Sequence, residues 1–469
     1  MGNTATLNKK QIKALVGFVL AVIIVIITQI VNLPEGVTRE GLSALGLFLA
    51  AIVLWITESL PMSVTCFVCM AIIPYFGIMD LTTTLSKFGG SSFFFVIATF
   101  AITQALSKTT IPLRIGCKLL TWSKGSGAKL VMGFTFASAL TSAIMSNLST
   151  CILYLSLVLA LLKANNCKPG ESNLGKCLMI VIPAASGVGG LITPAGTPGN
   201  VMVIDMLANI GIEISFMQWT ILFAPFALLT CLICSVWITR IFKPEKISAE
   251  ALQVLYVQKE EAGKLTAKEK KAVAIILAMV VLWFAGTWIT ALNTTVVALL
   301  GMAILFFPGV EVLSWNEYSK ETNWNIIFAI GSIGVLIAGL TETGIMGWIV
   351  NTLFTGITGW NIFALLLFVG VIVCVIRAFV PTAPAIIALF GVPLLAIAEM
   401  TGYSAVALIA IPAYWACTPM LLWFEPIFLF TYGEGYYKPL DVLKYGSLPS
   451  IIMIIIMTLL PLYAGLLGL

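Results

Sequence analysis

The sequence contains no histidine. This removes the imidazole metal ligand, the commonest general base and every Ser-His-Asp arrangement. Charge is scarce as well. Asp, Glu, Lys and Arg supply 10% of the 469 residues and hydrophobic residues 60%, against roughly 25% charged in an ordinary soluble domain. So few ionised groups cannot cover the surface of a soluble fold this long, so lipid must solvate much of the chain. A soluble enzyme, a secreted disulfide scaffold and a nucleic-acid-binding protein are excluded. The ten cysteines are scattered through apolar stretches. Cys66 and Cys69 have the C-x-x-C spacing but lie inside an apolar run with no second pair, so they read as small buried hydrophobes.

What is present is a series of apolar runs, near 14–31, 42–57, 63–79, 91–106, 130–162, 177–210, 219–241, 272–290, 295–308, 325–350, 361–415, 420–432 and 447–469. One long polar interruption, 243–271, reads as a solvated cytoplasmic linker between a first half (1–242) and a second (272–469). Residues 1–13 are polar and basic, and no small-residue cleavage site follows, so the first run is expected to be a retained helix. With the N-terminus in the cytoplasm, alternation places every Lys and Arg except Arg39, Lys87 and Arg377 on the inner side, as the positive-inside rule asks. The expectation is an all-α polytopic protein of the cytoplasmic (inner) membrane, with about eleven crossings and its C-terminus outside.

Simple alternation holds only if two long segments, 128–163 and 361–399, each enter and leave on one side. Both are interrupted in the middle, by Met145-Ser146-Asn147-Leu148-Ser149-Thr150 and by the stretch from Arg377 to Pro384. They are read as two re-entrant hairpins whose tips meet near the bilayer midplane. Irregular backbone at that depth is tolerated only inside protein or beside a wet cavity. The alternative, four kinked spans, would misplace Lys163, Lys168 and Lys176.

The second half echoes the first. Residues 87–116 match 321–350 loosely, the hairpin bearing MSNLST corresponds to the one bearing FVPTAP, and 181–200 corresponds to 410–427. The stretch with Lys108, Arg114, Lys118 and Lys124 has a counterpart, 343–360, with no basic residue, which opposite membrane faces would produce. Inverted repeats with helices broken at the midplane are the pattern of secondary transporters.

The breaks carry the chemistry. Residues 193–200 hold two prolines and two glycines and cannot stay helical. Their freed carbonyls, with the hydroxyls of Thr193 and Thr197, offer oxygen ligands to a small hard cation. The helix resuming after the break presents N–H groups to an anion. The tip Ser146-Asn147-Leu148-Ser149-Thr150 adds three hydroxyls and an amide. A lone serine in a spanning helix usually bonds only its own backbone. Clustering at two breaks favours a ligand role instead.

On these residues, together with LWITESLPMSVT at 54–65 and the Ala195-Gly196-Thr197-Pro198-Gly199-Asn200 break, the chain resembles the divalent anion/sodium symporter (DASS) family over nearly its whole length. The resemblance implies an inverted-repeat, elevator-type transporter, a homodimer whose transport domain moves against a scaffold. It also implies a di- or tricarboxylate held between the tips beside sodium ions, with no other cofactor. Carried over by position, Ser142, Ser146, Asn147 and the Gly196 carbonyl match the first sodium site. Leu148 replaces a threonine, a loss that Ser149 or Thr150 could make good. Thr197 and Pro198 complete the first substrate contact set. The second site departs from the pattern. Its tip reads Pro381-Thr382-Ala383, its break (416–420) keeps only Thr418-Pro419, and Arg377 stands where the family places a hydroxyl ligand of the second sodium.

A guanidinium at membrane depth is costly unless paired. One reading makes Arg377 a fixed replacement for the second sodium that grips a substrate carboxylate with its planar fork. A permanent charge adds nothing to sodium coupling and favours exchange of one anion for another. The other reading is a buried ion pair with Glu425 or Glu342. Glu425 could alternatively carry a proton. Glu342 reads as a helix-end residue, Glu58 as part of the family signature, Asp205 as locally hydrogen-bonded, and Trp55, Trp122, Trp219, Trp315 and Trp348 as an aromatic belt. The expected activity is therefore exchange of malate, succinate, fumarate, 2-oxoglutarate, tartrate or citrate. The competing expectation is a sodium- or proton-coupled carboxylate or sulfate symporter using the first site alone.

Overall fold

The computed structural model describes residues 9–469 except 249–250, 252, 254–256, 258–259, 261–262, 287, 290, 354–358, 379–382, 419 and 422–424. The described residues form helices and connecting turns, with no strand among them. Nine of these helices are long and apolar enough to cross a membrane, and Met62–Tyr75, Thr294–Phe306, Ile362–Arg377 and Ala405–Cys417 are shorter apolar helices beside them. Helix starts follow the local chemistry. Ser126, Ser146, Ser172 and Ser404 each accept a backbone N–H as N-caps, and Ser215 with Gln218 and Thr266 with Glu269 form full capping boxes.

The order of elements repeats. Arg39–Thr57, Met62–Tyr75, Leu81–Phe88, Ser91–Ser107, Ile111–Ser123, Gly127–Ser142, Asn147–Ala164, Asn173–Gly190, Pro198–Asn209 and Phe216–Phe242 come first. Ala267–Ala285, Thr294–Phe306, Trp315–Glu321, Trp324–Glu342, Ile345–Leu353, Ile362–Arg377, Ala383–Thr401, Ala405–Cys417, Pro426–Tyr432 and Pro439–Met457 follow in the same order. The two sets exchange partners, Met62–Tyr75 packing on Trp324–Glu342 and Thr294–Phe306 on Ser91–Ser107. At the centre lie the two helices that precede the breaks. Every residue of Ala405–Cys417 is buried, and so is Asn173–Gly190 apart from Asn173 and Lys176, as expected of helices apolar on all sides. The peripheral helix Lys9–Ile30 packs chiefly on Arg39–Thr57 and leaves most of its apolar surface outward.

Helices Gly127–Ser142 and Asn147–Ala164 start and finish at one end of the molecule, where the chain after Phe242 clasps both. The Ile247 N–H donates to the Gly125 carbonyl (3.0 Å) and the Ser248 N–H to Asn165 Oδ1 (2.7 Å). The same segment caps the next helix. The Asn173 N–H donates to Glu245 Oε1 at 2.7 Å, and the Leu174 N–H donates to Glu245 Oε2.

Candidate functional site

At the first tip, Gly127–Ser142 stops and Asn147–Ala164 begins at the N-cap Ser146, whose hydroxyl accepts the Ser149 N–H (3.2 Å) and lies 2.8 Å from Ser149 Oγ. Behind it, Ser142 Oγ lies 2.9 Å from Asn147 Oδ1 and 2.7 Å from the Ser186 carbonyl. The break spans 191–197, because Asn173–Gly190 ends and the next helix starts with Pro198 at its first position. Tip and break touch directly. A Cβ on Gly190 would fall 2.3 Å from Asn147 Oδ1, and one on Gly196 would fall 2.4 Å from the Gly190 carbonyl oxygen. The Thr193 hydroxyl also donates to the Ala143 carbonyl. Ser142, Asn147, Gly190 and Gly196 are thus stacked in one polar seam. Ser146, Asn147, Ser149, Thr197 and Pro198 stay half-exposed, while Thr150 is fully buried.

The hydroxyls of Ser186 and Thr150 are buried there without a hydrogen-bond partner. Buried polar atoms are rarely left so, and a seam of neutral oxygens with spare lone pairs is what a small monovalent cation needs. Among the described residues no cluster of three acidic or cysteine side chains is placed to hold a metal ion. A cation here would be held by neutral oxygens, from Ser142, Asn147 and the carbonyls of the break.

The second site is built on the same plan with one exchange. Ser142 ends the first arm of its hairpin and bonds a carbonyl of Asn173–Gly190. Arg377 ends Ile362–Arg377 and bonds carbonyls of Ala405–Cys417. Its Nε donates to the Trp415 carbonyl (3.1 Å), and its Nη2 donates to the Ala416 carbonyl (3.2 Å) and to Glu425 Oε1 (2.8 Å). Arg377 is 2% exposed. A cation thereby satisfies the last carbonyls of a helix and its negative dipole end. Glu342 is not its partner, since Glu342 lies on the surface 3.9 Å from Lys87.

The second break is longer than 416–420. Helix Ala405–Cys417 ends at Thr418 and the next helix starts at Pro426, which makes Glu425 an N-cap at the far end of the break. The Thr418 hydroxyl donates to the Tyr414 carbonyl one turn back (2.9 Å), the ordinary intrahelical use of a threonine. Pro381, Thr382 and Pro419 lie outside the described residues.

The two sites interlock. Pro198–Asn209 packs on Ala383–Thr401 of the second hairpin, and Pro426–Tyr432 packs on Asn147–Ala164 of the first. The Cys417 thiol lies 3.6 Å from Asn200 Oδ1, joining break to break. Asn200 also donates to the Gly190 and Thr193 carbonyls, each at 2.7 Å. Trp219 Nε1 donates to the Leu191 carbonyl at 3.0 Å. Neither side chain was given this role from the sequence. Asn200 lies within the motif but looks like one more turn residue. Trp219 looks like a belt residue, yet it and Trp55 are buried, while Trp122 and Trp315 are exposed as a belt requires. Asp205 is held from another helix rather than locally, accepting from Ser92 Oγ of Ser91–Ser107 at 3.1 Å.

A family described as citrate transporters (CitMHS) matches residues 52–418. Curated relatives include the sodium-dependent dicarboxylate transporters SdcS of Staphylococcus saprophyticus and of Staphylococcus aureus. The first is 23% identical over 371 residues (73% of this chain, 71% of the relative), the second 23% over 368 residues with the same coverage. Among solved structures, MtrF of Neisseria gonorrhoeae, placed by its description in a class of antimetabolite efflux pumps, aligns with a TM-score of 0.61 at 13% identity, covering 98% of this chain and 96% of its own. The YdaH transporter of Alcanivorax borkumensis aligns with a TM-score of 0.56 at 14% identity, covering 97% and 98%. At these identities the two structures speak for the fold alone.

Proposed function

Because the chain belongs to the citrate transporter family, we propose that this membrane carrier exchanges di- or tricarboxylates across the cytoplasmic membrane, malate, succinate, fumarate, 2-oxoglutarate, tartrate and citrate being the candidates. The observation that carries this reading is the buried Arg377, which already holds a carboxylate, that of Glu425, at 2.8 Å. A substrate carboxylate has the same charge and the same planar geometry.

In this reading Ser146, Asn147, Ser149, Thr150, Thr197 and Pro198 contact one end of the anion. Arg377, Pro381, Thr382, Thr418 and Pro419 contact the other. One sodium ion, as the sodium dependence in the names of the SdcS relatives suggests, is held by Ser142, Ser146, Asn147 and the Gly196 carbonyl. Arg377 takes the place of a second. The two halves are inverted repeats with a cytoplasmic linker between them, the hairpins are re-entrant, and about eleven segments cross the bilayer with the N-terminus inside and the C-terminus outside. The carrier works as a homodimer by an elevator motion.

Counterflow in proteoliposomes tests the exchange mode. Labelled succinate is expected to enter vesicles preloaded with unlabelled succinate without a sodium gradient, at least tenfold faster than it enters empty ones. Equal rates into empty vesicles under an inward sodium gradient would favour the symporter reading.

A further inference from the structure

Among the described residues, little open space adjoins the Arg377 guanidinium. The cavity lined by Arg377, Trp415, Thr418 and Met420 measures about 10 Å³, space for one water molecule at most. The carboxylate nearest the guanidinium is the protein's own. Glu425 is nearly as enclosed as Arg377, with 14% of its side chain exposed, and its Oε2 is buried without a hydrogen-bond partner. Glu425 stands at the N-cap position of Pro426–Tyr432, but its side chain makes no capping hydrogen bond, and its one strong contact is the guanidinium.

We propose that Glu425 is a built-in counter-anion that occupies Arg377 while no substrate is bound, and that an arriving substrate carboxylate displaces it together with the uptake of one proton. The inference rests on the carboxylate reading above. The step balances simply: the Arg377–Glu425 ion pair, one substrate carboxylate and one proton from water yield an Arg377–substrate ion pair and a neutral Glu425 carboxylic acid. A proton is needed because a carboxylate that loses its buried partner is left as an uncompensated charge in a low-dielectric site, and protonation is the available relief.

Among the described residues, the other titratable groups on the elements around this pair are already engaged, including the Cys374 thiol, which lines the same cavity and is hydrogen-bonded with Ser450. The Cys417 thiol is engaged with Asn200, and the Cys151 thiol points at the Ile427 carbonyl from Asn147–Ala164. The Tyr437 hydroxyl donates to the Phe428 carbonyl. From Asn173–Gly190, Lys176 is paired with Asp441. Two consequences follow. Anion binding strengthens as pH falls, because the bound state holds one proton more. The empty carrier also has a charge-compensated form, which permits a slow net uptake of anion with a proton beside the faster exchange.

The test uses the purified wild-type protein and fumarate, whose two carboxyls are fully ionised at neutral pH. Titration calorimetry in buffers of different ionisation heat is expected to show close to one proton taken up per fumarate bound. In Glu425→Gln, proton uptake is expected to vanish, and fumarate is expected to bind at least fivefold more tightly at pH 7.5 because its competitor is gone. That gain in affinity is the opposite of what structural damage would produce. Fumarate binding to the wild type without proton uptake overturns the proposal, as does proton uptake that persists in Glu425→Gln with a folded melting profile. If neither fumarate nor citrate binds the wild type, the carboxylate reading itself fails and the proposal falls with it.

Discussion

Asn200 supplies at the first break two of the hydrogen bonds that the interrupted helix lacks. Its amide joins the Gly190 carbonyl at the end of one half-helix to the Thr193 carbonyl within the break, both buried. Removing the amide leaves the Gly190 carbonyl unpaired, while the Thr193 carbonyl keeps the Gly196 N–H at 3.1 Å; an unpaired buried carbonyl costs about 1–3 kcal/mol. Asn200→Ala is therefore expected to destabilise the protein by about 2 kcal/mol, read as a lower melting temperature in detergent, and to weaken transport. An unchanged melting temperature would show that the break holds itself. The residue types of this site were legible: hydroxyls, an amide, prolines and glycines at two interruptions, and an arginine in an apolar run. Which carbonyls would be orphaned was not, because that depends on how far the helix runs before it stops. For this reason Asn200 read as one more turn residue and Trp219 as a belt residue. Arg377 stood out at once, since a guanidinium in apolar sequence has few innocent explanations. The choice between Glu425 and Glu342 as its partner needed three-dimensional structure.

Among the elements, the first break could be placed from its prolines and glycines to within two or three residues. The second could not, because the residues after Thr418-Pro419 are mostly apolar and carry no stop signal. Caps were more reliable guides, and one serves two helices. Glu269 accepts the Thr266 N–H of its own capping box (2.7 Å) and the Thr110 N–H at the start of Ile111–Ser123 (2.6 Å). These backbone donors, foremost that of Thr266, hold the carboxyl down to about 2 from an ordinary 4.5. A carboxyl whose folded pKa is lowered adds stability that is complete above its ordinary pKa and is lost as pH falls through that value toward the folded one. The wild type is therefore expected to lose melting temperature between about pH 5 and pH 2. Glu269→Gln should be less stable at neutral pH and lack that part of the acid dependence. Acid melting curves that run parallel for the two proteins would contradict this role.

At the scale of the whole molecule, composition alone identified lipid as the solvent of much of the chain. The repeat read from faint sequence echoes remains a proposal; what the structure shows is a similar order of helices in the two halves, with Met62–Tyr75 packed on Trp324–Glu342 and Thr294–Phe306 on Ser91–Ser107. The interlock of each half-helix with the opposite hairpin was not legible, since no local pattern encodes which surfaces meet. That interlock sets the neutral seam around Asn147 and the charged one around Arg377 in a single core, joined through Asn200 and Cys417. The account therefore predicts that one substrate bridges both seams and that neither suffices alone. Its most direct test is uptake of labelled succinate and citrate by proteoliposomes holding wild type or Arg377→Ala, with folding checked by size-exclusion profile. The expected result is at least a tenfold loss of uptake in the variant, with and without sodium. Normal uptake by a folded Arg377→Ala would confine the arginine to pairing with Glu425 and contradict the account at its centre.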